Sequence, residues 1–225
     1  MSAVLATPDE LLGALPPKQA RSVDATWQIA DEGRRLFLER GYEAVSVADI
    51  AAAAGRSVGA FYTRFPTKEH LLAHLVGGLT GDLRERVMHD LDPSAIRRRG
   101  VADVIHIYFT LVADEFTRYR GIIRPATLVA RQTEDEELRA LLRRFNEDVH
   151  DRFRSALLER LAGDDDQAAQ LRVNTMILWS SSALREVFLY QEPVSRLTRA
   201  QITFLRELTR AATLYVERVD AGHAP

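Results

Sequence analysis

Five residues, Gly55-Arg56-Ser57-Val58-Gly59, carry the G-x-S-x-G spacing of a nucleophile elbow. In that chemistry a serine on a strained strand-to-helix turn attacks an acyl carbon, assisted by a histidine and an acid. The motif needs a buried strand ahead of it. The residues ahead of it are Asp49-Ile50-Ala51-Ala52-Ala53-Ala54, a helix-forming run, and no series of β-branched strands occurs elsewhere to build a parallel sheet. A serine hydrolase using Ser57 is therefore an alternative, set against a serine that caps a helix. The run Ser180 to Ser182 has no supporting acid–base spacing. His70 and His74, four residues apart, could face the same way on a helix and bind a metal, but no third ligand accompanies them. The expectation is a protein that is not an enzyme, with no catalytic residue, no metal and no cofactor.

The elements that must position Ser57 point to different chemistry. Ser46 and Asp49 have capping-box spacing and start one helix, with Ile50, Ala51 and Ala54 on a small apolar face. Gly55 stops it, since glycine takes the left-handed conformation of a helix C-terminus without a Cβ penalty. Ser57 caps a second helix carrying Val58, Phe61, Tyr62 and Phe65, which Pro66 ends, and Thr67 caps a third. Two short helices around a Gly turn cross at a wide angle, as in a helix-turn-helix. The outer side of the second carries Arg56, Gly59, Ala60, Thr63 and Arg64, mostly short side chains that let a helix approach DNA closely. Tyr62, Arg64 and Lys68 offer donors to phosphate oxygens.

The run from Gly41 to Leu72 resembles the DNA-binding segment of the TetR family of bacterial transcriptional regulators. The resemblance rests on Gly41-Tyr42, Ser46, Asp49-Ile50-Ala51, Ala54-Gly55, Ser57 with Gly59, Phe61-Tyr62, Phe65 and Lys68-Glu69, and it covers roughly residues 19–75. Arg56, Ala60 and Thr63-Arg64 depart from the family's usual aliphatic, Thr and Tyr-His. The resemblance implies an all-α protein: a three-helix helix-turn-helix head and a larger helical ligand-binding and dimerisation domain. Expected boundaries are a flexible N-terminal arm over 1–18, the DNA-binding head over 19–69 and the second domain over 70–225. The implied DNA contacts are Ser46, Arg56, Ser57, Gly59, Ala60, Tyr62, Thr63, Arg64 and Lys68, with Arg56 and Arg64 setting sequence preference. Lys18 and Arg21 are basic residues of the kind that reach the DNA backbone from the arm.

The rest of the chain reads as helices. Ile29, Gly33, Leu36 and Phe37 form one stripe of a first helix from about Gln19 to Arg40. Phe37, Val47, Ile50, Phe61, Phe65 and Leu71 or Leu72 should make the head core. The helix from Thr67 should run to about Leu91, with Gly77, Gly78 and Gly81 marking a bend. Asp92-Pro93 should open a helix bearing Val101 to Phe116. A shorter helix from Gly121 should be interrupted or started near Pro125. Thr133 with Glu136 has capping-box spacing, and Pro193 breaks a helix ahead of a last one capped by Thr198 and Gln201.

By the same resemblance the last two helices pair with those of a second subunit, and the middle helices enclose a pocket. Candidate lining residues are His106, Phe109, Phe116, Phe145, Met176, Trp179 and Phe188, with Arg120 or Arg124 as an anion partner. Arg118 and Arg131 flank the same short helix. Net charge near −2 does not advertise nucleic-acid binding, so affinity for DNA must come from a local basic surface. With no cysteine there is no disulfide and no thiol switch. No apolar run is long enough for a membrane span and no signal-peptide pattern opens the chain, so a cytoplasmic protein without membrane contact is expected. The implied function is a homodimeric, ligand-responsive transcriptional repressor released from a palindromic double-stranded DNA operator by a small molecule. A helical ligand-binding or dimerisation module without DNA binding is the other alternative.

Overall fold

The computed structural model describes residues 17–161, 167–191 and 198–217. Among them there is no strand. Most of the expected arm, Pro193 and the side chain of Phe145 lie outside the described residues, as do the side chains of Lys18 and Arg21.

The head is built by local signals. Helix α1 spans Pro17–Arg40 and so takes in the last two residues assigned to the arm. Gly41, at φ +83°, turns its amide back to the Phe37 carbonyl at 3.1 Å and closes the helix. Helix α2, Val47–Ala53, starts at Ser46: its Oγ accepts the Asp49 amide, and the Asp49 carboxylate accepts the Ser46 amide. Gly55, at φ +62°, ends the turn. Helix α3, Val58–Tyr62, starts at Ser57, whose Oγ accepts the Ala60 amide at 3.1 Å. Helices of seven and five residues have too few internal hydrogen bonds to stand alone. Ile50, Phe61 and Phe65 hold them by packing with Phe37, Leu71 and Leu72.

Helix α4 is one unbroken run, Lys68–Asp90, capped by Thr67, and the three glycines in its middle do not interrupt it. It crosses the expected boundary at residue 69 and packs against α1. Its other neighbours are helices of the body: α6 (Val101–Arg118), α7 (Arg120–Gln132) and α8 (Glu136–Leu161). Buried side chains therefore form one continuous core from Ile29 through Leu72, Leu83 and Phe109 to Val216. The other body elements are α5 (Pro93–Ile96), α9 (Gln167–Arg185) with a π-helical turn over Glu186–Tyr190, and α10 (Arg199–Val216).

Three local expectations differ from the structure. Asp92-Pro93 opens only the four-residue α5; the chain then restarts at Gly100, whose amide bonds the Asp103 carboxylate at 3.2 Å. Pro125 lies inside α7 without interrupting it; the first turn is anchored by the Ile122 and Ile123 amides on the Tyr119 carbonyl at 2.9 Å each. Thr133 Oγ1 accepts the Asp135 amide, two residues on, and α8 begins at Glu136 rather than being capped by Thr133.

Candidate nucleic-acid interface and head–body cleft

The outer surface of α3 is small and open. Ser57, Gly59 and Thr63 are exposed, as are Val58 and Tyr62, while Ala60 is half-buried. Tyr62 stands edge-on to the buried Phe61, their ring centroids 5.5 Å apart, which fixes its direction outward. Thr63 Oγ1 donates back to the Gly59 carbonyl at 2.8 Å, so its methyl group is the part presented outward. Ser46 is exposed at the start of α2, its hydroxyl engaged with Asp49. The elbow chemistry needs a strand before Ser57; the chain there is α2, and the Ser57 hydroxyl is occupied as a cap.

The three cationic candidates are not free surface donors in this state. Arg56 turns away from α3 onto α1: its guanidinium donates to Gln28 Oε1 at 2.6 and 3.0 Å and to Asp24 at 3.1 Å. Arg64 folds over its own helix, Nη1 donating to the Ala60 carbonyl at 2.8 Å, while its Nε is buried without a partner. Lys68 Nζ donates to the carbonyls of Tyr42 and Val45 at 3.1 Å each and lies 4.0 Å from the centre of the Tyr42 ring. The Tyr42 hydroxyl in turn donates to Glu69 at 2.8 Å. Lys68 thus ties the loop after α1 to the start of α4, using two of its three N–H donors.

A cleft opens between head and body. Its volume is about 610 Å³, and it is walled on one side by the end of α1 and the loop after it, from Phe37 to Ala44. Its other wall is Thr117 and Arg118, the residues Arg120, Gly121, Arg124, Pro125 and Leu128 of α7, then Phe188 and Gln201. At its edge the two walls touch backbone to backbone. A Cβ on Gly121 would lie 2.5 Å from the Phe37 carbonyl oxygen and 3.2 Å from Leu38 Cα. Only glycine fits there, and sequence reasoning passed over it. An isolated Gly ahead of Ile122-Ile123 in a helix was the available signal.

Of the expected pocket residues, Arg120, Arg124 and Phe188 line this cleft. Phe109, Phe116 and Met176 are instead packed into the core. Trp179 stands edge-on to Tyr215, and His106 Nδ1 lies 3.4 Å from Thr209 Oγ1 on α10. Behind the cleft, Arg86 of α4 reaches Asp114 at 2.8 Å and Glu115 at 3.2 Å on α6, and Arg118 shares Asp114 at 3.0 Å. Glu115 is 1% exposed, and burial pushes its carboxyl up to about 7 against the opposing pull of Arg86. Among the described residues no group of three His, Asp or Glu could hold a metal, and no helix is long and apolar enough to cross a membrane.

Residues 29–75 match the family model of bacterial regulatory proteins, tetR family. The chain is 33% identical over 88 residues to the fatty acid metabolism regulator protein of Bacillus subtilis, covering 39% of this chain and 45% of that one. It is 44% identical over 54 residues to an uncharacterized HTH-type transcriptional regulator, YwcC, of the same organism, covering 24% of each. The matches thus span less than half the length of these curated relatives. Among solved structures, the Thermus thermophilus FadR, a TetR-family transcriptional repressor in complex with lauroyl-CoA, superposes with a TM-score of 0.60 at 22% identity. That superposition covers 89% of this chain and 98% of the FadR chain. A Bacillus subtilis FadR in complex with stearoyl-CoA superposes with a TM-score of 0.52 at 20% identity, over 86% of this chain and 98% of that one. At these identities the superpositions show a shared fold.

Proposed function

Because its head belongs to the tetR family of bacterial regulatory proteins, we propose that this chain is a homodimeric, ligand-responsive repressor that binds a palindromic DNA operator. The observation that carries the reading is α3, a five-residue helix capped by Ser57 and bare of large side chains except Val58 and Tyr62 on its exposed face. Gly59, Ala60 and Thr63 let its backbone enter a major groove, where a helix can reach base edges. Tyr62 and the third N–H of Lys68 serve phosphates, and Arg64 reaches DNA once it leaves its own helix.

One head covers few base pairs, so specificity needs two heads on a two-fold axis. Leu171 and Leu178, seven residues apart on α9, are 68% and 71% exposed, and Leu214 on α10 is 65% exposed. Aliphatic side chains that open to water on adjacent helices support pairing of α9 and α10 with their copies in a second subunit. The effector needs only a differential affinity for the DNA-competent and the released arrangement. Long-chain acyl thioesters of CoA are the first class to test, since structural neighbours hold them.

The test is selection from a random DNA pool by the full chain, followed by titration of the selected fragment at several salt concentrations. The expected outcome is a palindrome with half-sites about one helical turn apart, bound with a steep salt dependence. Failure to enrich any sequence would leave a helical module without DNA recognition.

A further inference from the structure

We propose that the cleft between head and body is the effector site, and that its occupant is an amphipathic anion gripped by arginines of both walls. The proposal rests on the reading of the chain as an effector-responsive regulator and adds the place and chemistry of the effector.

Size and filling make the first argument. The cleft, at about 610 Å³, falls within the range of small-molecule sites. Among the described body residues, Phe109 and Met176 are fully buried, and Tyr108 stacks on Phe153 with centroids 3.9 Å apart.

Charge makes the second. Arg40 from the head and Arg118, Arg120 and Arg124 from the body line the cleft, against a single glutamate, Glu43. Arg118 shares its carboxylate, Asp114, with Arg86, and Arg40 is 4.0 Å from Asp49. Among the described residues Arg124 has no carboxylate partner; its guanidinium lies 5.9 Å from the centre of the Tyr190 ring. An arginine such as Arg124, without a carboxylate partner beside a concave surface, favours a carboxylate or phosphate, which accepts two parallel hydrogen bonds from one guanidinium. A cation would be repelled there.

Apolar surface makes the third. Leu38 and Leu128, 41% and 40% exposed, line the same opening beside Phe188. They give an alkyl or aromatic body somewhere to lie. Since the walls belong to head and body, and Gly121 holds them in backbone contact at one edge, an occupant spanning the cleft fixes the angle of the head. That angle sets the spacing of two heads on DNA.

Calorimetric titration of the DNA-free full chain with decyl phosphate, decanoate and decyltrimethylammonium tests this. The two anions should bind and the cation should not. Arg124→Ala and Arg40→Ala should each weaken anion binding about tenfold or more, the loss of a charge-assisted hydrogen bond. Leu128→Asp, at an exposed position, should weaken it as well. Anion binding untouched by all three substitutions would move the site elsewhere and overturn the proposal. So would binding of the cation alone, or of none of the three probes. A chain that selects an operator yet behaves in one of those ways loses the cleft assignment and keeps the regulator reading. Arginine-dependent anion binding by a chain that enriches no DNA does the reverse.

Discussion

At the scale of single residues, the position of a donor in a motif is not its employment in the fold. Lys68 is an expected phosphate contact, and in the structure its ammonium donates to the carbonyls of Tyr42 and Val45. Lys68→Ala should therefore destabilise the DNA-free protein by about 2 kcal/mol, read as a lower urea midpoint. Tyr62→Phe, whose ring is already exposed, should leave that midpoint unchanged and weaken binding alike for all DNA sequences. The buried Glu115 and the half-buried His150 give opposite pH signatures. Glu115 titrates at about 7 in the fold against an ordinary value of 4.5, so the stability it contributes is full below about 4.5 and lost as pH rises through about 7. His150, whose Nδ1 lies 2.6 Å from the Tyr108 hydroxyl, is pushed down to about 4 by burial. Its contribution is present above 6.5 and lost as pH falls through about 4. Urea midpoints from pH 4 to 8 should show Glu115→Gln gaining on the parent chain as pH rises. Arg86→Ala, which leaves the ionised Glu115 unpaired, should lose more at pH 8 than at pH 5.

At the scale of elements, the helix ends of the head were legible in the sequence and helix meetings were not. Ser46, Ser57 and Thr67 act within four residues of where they stand, so composition alone located α2, α3 and the start of α4. Ser57→Ala should cost about 1 kcal/mol and depress DNA affinity further, because α3 is too short to survive without its cap. The contacts of Arg56 were not legible in the same way, since its partners Asp24 and Gln28 lie a helix away in sequence. The cleft was hidden for a stronger version of that reason. It depends on Leu38 and Gly121, residues that no local pattern relates. Of the expected lining residues, Arg120, Arg124 and Phe188 lie on the cleft, while Phe109 and Phe116 are large aromatic side chains taken up by the core. Gly121→Ala supplies the test of the seam. Its methyl group would meet the Phe37 carbonyl rather than a side chain that can yield, so a loss of about 1–3 kcal/mol is expected, together with altered operator affinity.

At the scale of the whole molecule, the nearly neutral charge means that the proposed DNA binding would depend on placement rather than bulk charge. Leu171 and Leu178 are the exposed residues on which dimer formation is expected to turn. Leu178→Glu should shift sedimentation towards a monomer at micromolar concentration and abolish binding to a full palindrome, while thermal unfolding of the monomer stays cooperative. An unchanged sedimentation coefficient would place the dimer contact elsewhere.

The unbroken core running from Ile29 to Val216 also determines how the molecule comes apart. Helix α4 carries Leu71 and Leu72 beside the head residues and Leu83 and Val87 further along, all in one buried cluster, so the apolar interiors of head and body are continuous through it. Amide hydrogens of α2 and α3 beyond their frayed first turns should then share the opening free energy of α8 in native-state exchange, one foldon in place of two. Proteolytic fragments ending near residue 69 should be degraded rather than accumulate. In such a molecule a substitution that merely loosens the body should weaken the proposed DNA binding by thinning the population of intact heads.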